Sequence, residues 1–530
     1  MKNGFRQSMA WLHTWTGLLL GWLLFAIFLT GTLAYFRTEV TWWMKPELHA
    51  SRVSEDPVGL AMSRLKELAP AAASWSITLP ESRSPVLAVS WSNPGEAPGR
   101  RGAPATVLDA STGEILTPRE TAGGDFLYRF HFELHGLPRE LARWFVGIAT
   151  MAMFIAIISG VITHKKIFKE FFTFRPGKGQ RSWLDMHNMT AVLALPYHIM
   201  ITFSGLVLFV ATLMPFVIER GPARGPAPAQ EVAEALPSGP LAQLTALAPL
   251  LAQAETAWGG MPVGRIQIED LDTDRPEILL IPLRQSVVTV QSGSGSNGSE
   301  RMRFDGLSGA LIDATGRPDA STVASVNMAL GALHRARFAD TGLRWLFFVS
   351  GVAGTVMVGS GLVLWVSKRA QKHAKSGVQP FGLRLVDRLN VSAISGLTVA
   401  TAGYFWANRL IPAGVEDRAG LEIHAFFAIW ALALIHPFLR APAKSWCEQF
   451  GLAAVLLLTL PILNAFTGPS NLVRALWQGN MVLVSVELMA LLSGSACLYA
   501  SWKARPGRQK QPTRRVRKPV APPAPQIAGE

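Results

Sequence analysis

The sequence predicts a mainly α integral membrane protein of about eight transmembrane helices, with an internal duplication and two small α+β inserts outside the bilayer. Three observations predict it. Charged residues make up only 16% of the chain against 49% hydrophobic, too little charge to coat a soluble protein of 530 residues. Apolar stretches long enough to cross about 30 Å of hydrocarbon at about 1.5 Å per helical residue recur along the chain. One such stretch also repeats another: His13 stands eighteen residues ahead of the glycine of Thr30-Gly31, and His187 eighteen ahead of that of Ser204-Gly205.

The duplication extends further. Arg143-Trp144 to Ser159-Gly160 is echoed at identical spacing by Arg344-Trp345 to Ser360-Gly361, and each echo follows a Leu-His pair, Leu134-His135 and Leu333-His334. A unit of helix, long polar insert, Leu-His and second helix therefore occurs twice between about residues 8 and 366.

Eight spans follow from the hydropathy pattern, at about 9–36, 142–164, 184–214, 343–366, 389–411, 421–439, 446–467 and 479–502. The first has no small-x-small cleavage site before Tyr35-Phe36 and reads as a retained anchor. The third contains Pro196 and Pro215, which predict a kink or tilt. In segments, residues 1–36 are the cytoplasmic start and first helix, and 37–134 the first insert. The second and third helices with their basic loop occupy 135–215, the second insert 216–333 and the fourth helix 334–367. A basic loop (368–388), a four-helix extension (389–502) and a basic disordered tail (503–530) complete the chain.

Lysine and arginine gather in alternate loops, as basic flanks retained in the cytoplasm do. Lys165, Lys166, Lys169, Arg175, Lys178 and Arg181 fill one such loop; Lys368, Arg369, Lys372, Lys375, Arg384 and Arg388 fill the next. Both termini are then cytoplasmic and both inserts periplasmic, in a bacterial inner membrane, and the net charge of +14 is mostly topology. The Pro-rich, aromatic-poor tail offers no base-stacking platform, so it fits anionic lipid headgroups rather than nucleic acid.

Each insert holds short strands and a tight turn. Pro85–Trp91 and Thr106–Ile115 read as strands around Asp109 and Gly113; Arg265–Glu269, Pro276–Pro282 and Phe304–Leu311 repeat that grammar, with Asp305 and Gly309 at the same spacing. The Pro-rich 221–240 stretch reads as a linker and the Gly-Ser run 292–299 as a loop tip.

The histidine–glycine helices, the Thr163-His164-Lys-Lys-Ile-Phe-Lys run and the Asp-x-x-x-Gly turns together resemble the PepSY-associated transmembrane family over about residues 8–370. That family includes haem-containing ferric-siderophore reductases. The resemblance implies two repeats of two helices, each with a PepSY-like insert, and b-type haems, two in number, within the bundle. The extension beyond 387 has no assignment.

Ionisable groups within lipid mark sites, and neutral imidazole is the usual haem ligand. On a straight helix His187 and His198, eleven residues apart, differ by about 20° in direction and lie about 16 Å apart, which suits two stacked haems. For the cytoplasmic half the available partners are His13 and His164; for the periplasmic half they are His135 and His334, with His131 further off. The alternative for His13, His187 and His198 is a hydrogen-bonded core histidine, and for His164 a plain interfacial one, its repeat counterpart being Trp365. His135 and His334 could also bind substrate iron or cap structure. His424 and His436 do not share a helical face and read as structural, and His49 and His373 read as surface residues.

Only Cys447 and Cys497 occur, without C-x-x-C or C-x-x-C-H, which argues against a disulfide framework, iron–sulfur ligation or covalently attached haem. Gly-x-Gly-x-x-Gly is absent too, so electrons must come from outside the chain, from a quinol or a separate reductase. The expected function is an oxidoreductase passing electrons across the membrane to a periplasmic ferric-siderophore or similar iron chelate, releasing Fe(II). Arginines near the outer histidines, such as Arg143 and Arg335, suit anionic chelates or haem propionates, and snorkelling to the membrane interface explains them equally well. Two competing classes are a membrane-anchored binding protein and a metal permease whose histidines line an ion path.

Overall fold

The computed structural model describes residues 4–96, 105–164, 168, 172–214, 244–283, 301–315, 322–373 and 378–505. The Pro-rich linker, the Gly-Ser run, the cluster Lys165, Lys166 and Lys169, and most of the basic tail lie outside the described residues.

The first span is two helices, α1 (Phe5–Leu19) and α2 (Gly21–Ala34), bent by 67°. The third is also two, α7 (Gln180–Leu193) and α8 (Leu195–Leu208), bent by 70°. Pro196 accounts for the second bend, since a proline in the first turn of a helix cannot continue the one before it. The first bend has no proline. It falls at Leu20, seven residues after His13, as Ala194 falls seven after His187, so the repeat preserves the break where its residues differ. A Cβ on Gly21 would lie 2.7 Å from Leu362, which shows how tightly the bent chain is packed there.

The straight partners of these bent pairs are α6 (Arg139–Thr163) and α11 (Thr341–His373). α1 lies against α6 and α7 against α11. The extension supplies α14 (Arg418–Leu439), α15 (Pro442–Leu458) running into α16 (Leu460–Thr467), a short α17 (Leu472–Trp477) and α18 (Met481–Ala504). Among the described residues five helices are long and apolar enough to cross a membrane, and the two bent pairs, each taken as one span, raise the number to seven. The expected span 389–411 does not stand as one such helix. It comprises α12 (Phe381–Val391), a π turn at Ser392–Gly396 and α13 (Leu397–Leu410), and it carries buried Asn390, Ser392, Ser395, Asn408 and Arg409. π turns inside helices mark inserted residues, often at functional places.

The inserts are not two separate domains. Their strands form one antiparallel sheet of order β4-β3-β2-β1-β5-β6-β7-β8. The first insert gives β1 (Ser74–Thr78), β2 (Leu87–Ser92), β3 (Thr106–Leu108) and β4 (Ile115–Leu116). The second gives β5 (Val263–Glu269), β6 (Glu277–Pro282), β7 (Arg301–Asp305) and β8 (Leu311–Thr315). The join is β1 on β5, with Trp75 opposite Ile268 and Ile77 opposite Ile266, so the two four-stranded meanders meet back to back. Helices α4 (Pro57–Leu68) and α9 (Leu247–Ala257) cover one face, and Leu65, Trp75, Ile77, Leu250, Ile266 and Phe304 share its core.

The expected turns are present and alike. The Gly113 N–H donates to the Asp109 carbonyl and the Gly309 N–H to that of Asp305, both at 2.9 Å, with φ of 73° and 72° that favour glycine. One carboxylate oxygen of each aspartate accepts from the two following N–H groups, of Ser111 and Thr112 or of Leu307 and Ser308.

Two connections hold the sheet end of the bundle rigid. Arg83 donates twice to Glu39 of α3 (Arg37–Trp43), at 2.6 and 2.8 Å. The extension is tied in by the fully buried ion pair Arg418–Glu422, whose carboxylate also accepts from the Asn408 amide at 2.7 Å and the Thr121 hydroxyl at 2.6 Å. His49 is buried rather than on the surface: its ring stacks on Trp42 at 4.3 Å.

Candidate functional site: two histidine pairs in the bundle

Four histidines come together as two facing pairs, His13 and His187 from the bent helices and His131 and His334 from the helices that follow the inserts. His13 and His187 have ring centroids 6.1 Å apart, and His131 and His334 6.2 Å. His131 lies on α5 (Gly123–Glu133) and His334 on α10 (Thr322–Arg335), the helices that lead out of each insert toward α6 and α11. The first pair stands at the end of the bundle away from the sheet, the second at the sheet end.

All four are held alike. The Nδ1–H of His13 donates to the Ala156 carbonyl, that of His187 to Met357 and that of His131 to Ile27, each at 2.8 Å. His334 Nδ1 lies 2.9 Å from the Ser204 hydroxyl, which already donates to the Met200 carbonyl and therefore accepts here. A carbonyl oxygen can only accept, so the proton sits on Nδ1 and the Nε2 lone pair is left over. Among the described residues none of these four Nε2 atoms has a hydrogen-bond partner. This is the tautomer and the second-layer support that metal-bound imidazoles use.

Each imidazole also lies on a glycine of the repeat. A Cβ on Gly160 would come within 3.1 Å of the His13 ring, on Gly361 within 3.1 Å of His187, on Gly31 within 2.5 Å of His131 and on Gly205 within 3.2 Å of His334. The four small-Gly pairs are thereby explained. The glycine admits the ring, and Thr30, Ser159, Ser204 or Ser360 turns its hydroxyl back onto its own helix, at 2.6 to 3.0 Å.

The residues fit haem iron. Two neutral imidazoles with unengaged Nε2 atoms and ring centroids 6.1 or 6.2 Å apart are a donor set that could hold a haem iron between them, which would supply one-electron chemistry there. At the sheet end the pair borders a cavity of about 340 Å³ with largely apolar walls, and Arg143 and Arg335 are at its edge. Tyr35 and Tyr197 also line it, their hydroxyls 3.0 Å apart, a contact no sequence pattern pointed to. On α6 the Ala156 carbonyl that holds His13 lies six to ten residues from the cavity-lining Thr150 and Val146, about 9–15 Å along the axis.

The sequence reading placed the other candidates differently. The 70° bend at Ala194 removes the common face expected of His187 and His198. His198 instead lies on α8 between the two pairs, fully buried, with both ring nitrogens lacking a partner of normal geometry and Phe28 edge-on at 6.2 Å. The histidine that faces His334 is His131 and not the His135 of the Leu-His echo. His135 is turned into an aromatic cluster, stacked on Phe427 at 5.4 Å and edge-on to Phe126 at 6.1 Å. His164 is the C-cap residue of α6, its backbone N–H donating to the Gly160 carbonyl at 3.2 Å. His436 is engaged by Glu448 at 2.9 Å.

A protein of Pseudomonas aeruginosa described as uncharacterised is 23% identical over 398 residues, covering 71% of this chain and 94% of that one. The family model described as the PepSY-associated TM region matches residues 10–368, which include both histidine pairs and the whole sheet and stop short of the extension. This chain therefore belongs to the PepSY-associated transmembrane family.

Proposed function

We propose that this chain is a haem b oxidoreductase of the bacterial inner membrane that carries electrons to a ferric-siderophore or similar iron chelate on the periplasmic side. Four Nδ1-tethered imidazoles, paired across the repeat with free Nε2 atoms, are the observation that carries the reading. His13 and His187 would hold one haem, and His131 and His334 the other. Bound between them, the group supplies a centre that takes up and gives up one electron at a time.

The chain's own residues do the rest. The carbonyls of Ala156, Met357 and Ile27 and the Ser204 hydroxyl fix the rings. Leu24, Ile27, Val146 and Met153 keep water from the space beside them. Arg143 and Arg335 set positive charge where propionates or an anionic chelate would approach. In this reading α12 and α13 together make an eighth crossing, both termini are cytoplasmic, and the sheet is the periplasmic docking face. Iron reduced there leaves its chelate because siderophores bind Fe(II) far less tightly than Fe(III).

The test is a reduced-minus-oxidised absorption spectrum of the purified protein with haem counted per chain. Two haems are expected, falling to one in His131→Ala, His334→Ala, His13→Ala or His187→Ala and remaining two in His135→Ala. A featureless spectrum would remove the reading and leave a binding protein or a cation permease.

A further inference from the structure

The two repeats are broken at the same place by different means. Leu20 and Ala194, at equivalent positions, carry nearly the same backbone, with φ of −108° and −107°. Two residues further on the repeats differ: the offset that carries His13 onto His187 and Gly31 onto Gly205 carries Trp22 onto Pro196. Pro196 enforces its break, having no N–H and a ring that clashes with the preceding turn. Trp22 has neither property, and a sharp bend without a proline needs another cause.

The extension supplies that cause. Asn390, near the end of α12 and 1% exposed, accepts the Trp22 indole N–H on Oδ1 at 2.9 Å and donates from Nδ2 to the Leu362 carbonyl of α11 at 3.1 Å. Leu362 lies against both arms of the bend. Its side chain packs in a cluster with Leu18 of α1 and Val386 of α12, and a Cβ on Gly21 of α2 would come within 2.7 Å of it. One buried amide therefore ties the first turn of α2 to the residue that occupies the angle. In the other repeat Val161, the counterpart of Leu362, is 37% exposed, and the proline suffices there.

We propose that Asn390 is a positioning residue: it holds the first span in its bent form, as Pro196 holds the third, and thereby sets His13 opposite His187. The task falls to the extension, outside the residues 10–368 that the family model matches. Seven residues at about 1.5 Å each place His13 about 10 Å from the bend. Straightening the 67° angle would swing it on the order of 10 Å, away from the Ala156 carbonyl and Gly160 that hold its ring and away from His187. A third of that motion already breaks a hydrogen bond. The sheet-end pair does not depend on the direction of α1, because His131 is bonded to Ile27 of α2 and His334 to Ser204 of α8.

The test uses the full chain in lipid nanodiscs, carrying Cys447→Ser and Cys497→Ala, with spin labels on Gln7→Cys of α1 and Ser63→Cys of α4, both at exposed positions. Double electron–electron resonance reads the distance between the labels. In Asn390→Leu that distance should shift or broaden by about 5 Å or more. Trp22→Phe, which loses only the indole N–H, should move it the same way by less, and it carries the test if Asn390→Leu does not fold. Adding Trp22→Pro to Asn390→Leu should restore the parent distance, because proline makes the break without a partner. Haem per chain, which rests on the reductase reading, should fall from two to one in Asn390→Leu and return to two in the double variant. An unchanged distance in both single variants would overturn the inference, as would a double variant no nearer the parent than Asn390→Leu. Equal loss of both haems in Asn390→Leu would also overturn it, by showing a general loss of packing. The distance is read without haem, so a parent protein that binds no haem removes the reductase reading and leaves this inference to stand or fall on the distances.

Discussion

Gly354 makes the room that His198 occupies: a Cβ at that glycine would lie 3.2 Å from Nε2 of His198 and 2.5 Å from the Phe28 ring. In the other repeat the equivalent positions are Met153, Leu24 and Thr202, so a large–small exchange has been made on one side only. Gly354→Met should therefore destabilise the bundle by overpacking, by about 1–3 kcal/mol. Phe28→Thr, His198→Leu and Gly354→Met together should recover most of that loss, because the three positions are coupled. Thermal unfolding followed by intrinsic fluorescence in detergent measures both, and a triple variant no better than Gly354→Met would show the positions to be independent.

The glycines beneath the imidazoles give a graded prediction. A methyl at Gly31 meets His131 Cε1 at 2.5 Å, a distance real Cβ atoms do not show, whereas at Gly205 the contact with His334 is 3.2 Å and a shift of a few tenths of an ångström relieves it. Gly31→Ala should displace the ring from its bond to Ile27 and lower haem content by about one per chain. Gly205→Ala should keep both haems with at most a small spectral shift. Equal losses in the two variants would mean that the rings are not seated as described.

Much of this architecture was legible. The repeat gave the helices, Pro196 gave one bend, and the Asp-x-x-x-Gly spacing gave both turns. Two features were not legible, for physical reasons. The sheet joins through β1, whose Ser-Trp-Ser-Ile-Thr run is short and pairs with a strand nearly two hundred residues away, a partnership that local pattern does not encode. The fourth histidine was misidentified because twelve residues separate His131 from Arg143 and only ten separate His334 from Arg344. The extra length is taken up where the chain turns at Leu134 and Ala336, with φ of 49° and 47°, so matching Leu-His to Leu-His set the turn of one repeat against the helix of the other and not one facing imidazole against its partner.

The Arg418–Glu422 pair ties the extension to the first insert with no exposure of either side chain. Removing one partner leaves the other charge buried, at a cost of about 3–5 kcal/mol. Arg418→Ala should thus lower the unfolding temperature more than Glu422→Gln, which keeps a carbonyl oxygen for Asn408 and Thr121 while losing the charge. Arg418→Ala should also expose 119–123 and 41–49 to protease, because Arg418 holds the Glu120 carbonyl and the Glu422 carboxylate holds Thr121. Unchanged cleavage at those segments would show that the extension does not brace the insert.

His49 predicts a pH dependence of stability. Burial and then the nearby Arg409 guanidinium hold its pKa down at about 3, against 6.5 in an unfolded chain. The unfolded state therefore binds the proton first, and stability associated with His49 is fully present above pH 6.5 and declines as the pH falls from there toward 3. His49→Gln cannot take up that proton. It should lose some stability at pH 7.5 through weaker stacking on Trp42, yet fall less steeply between pH 6.5 and 4, so that the difference between the two proteins narrows on acidification. Unfolding temperatures measured at half-unit intervals decide the matter: parallel curves would mean that His49 is solvated in the folded protein and that the segment it packs in, next to Arg409 and Trp43, is open to water.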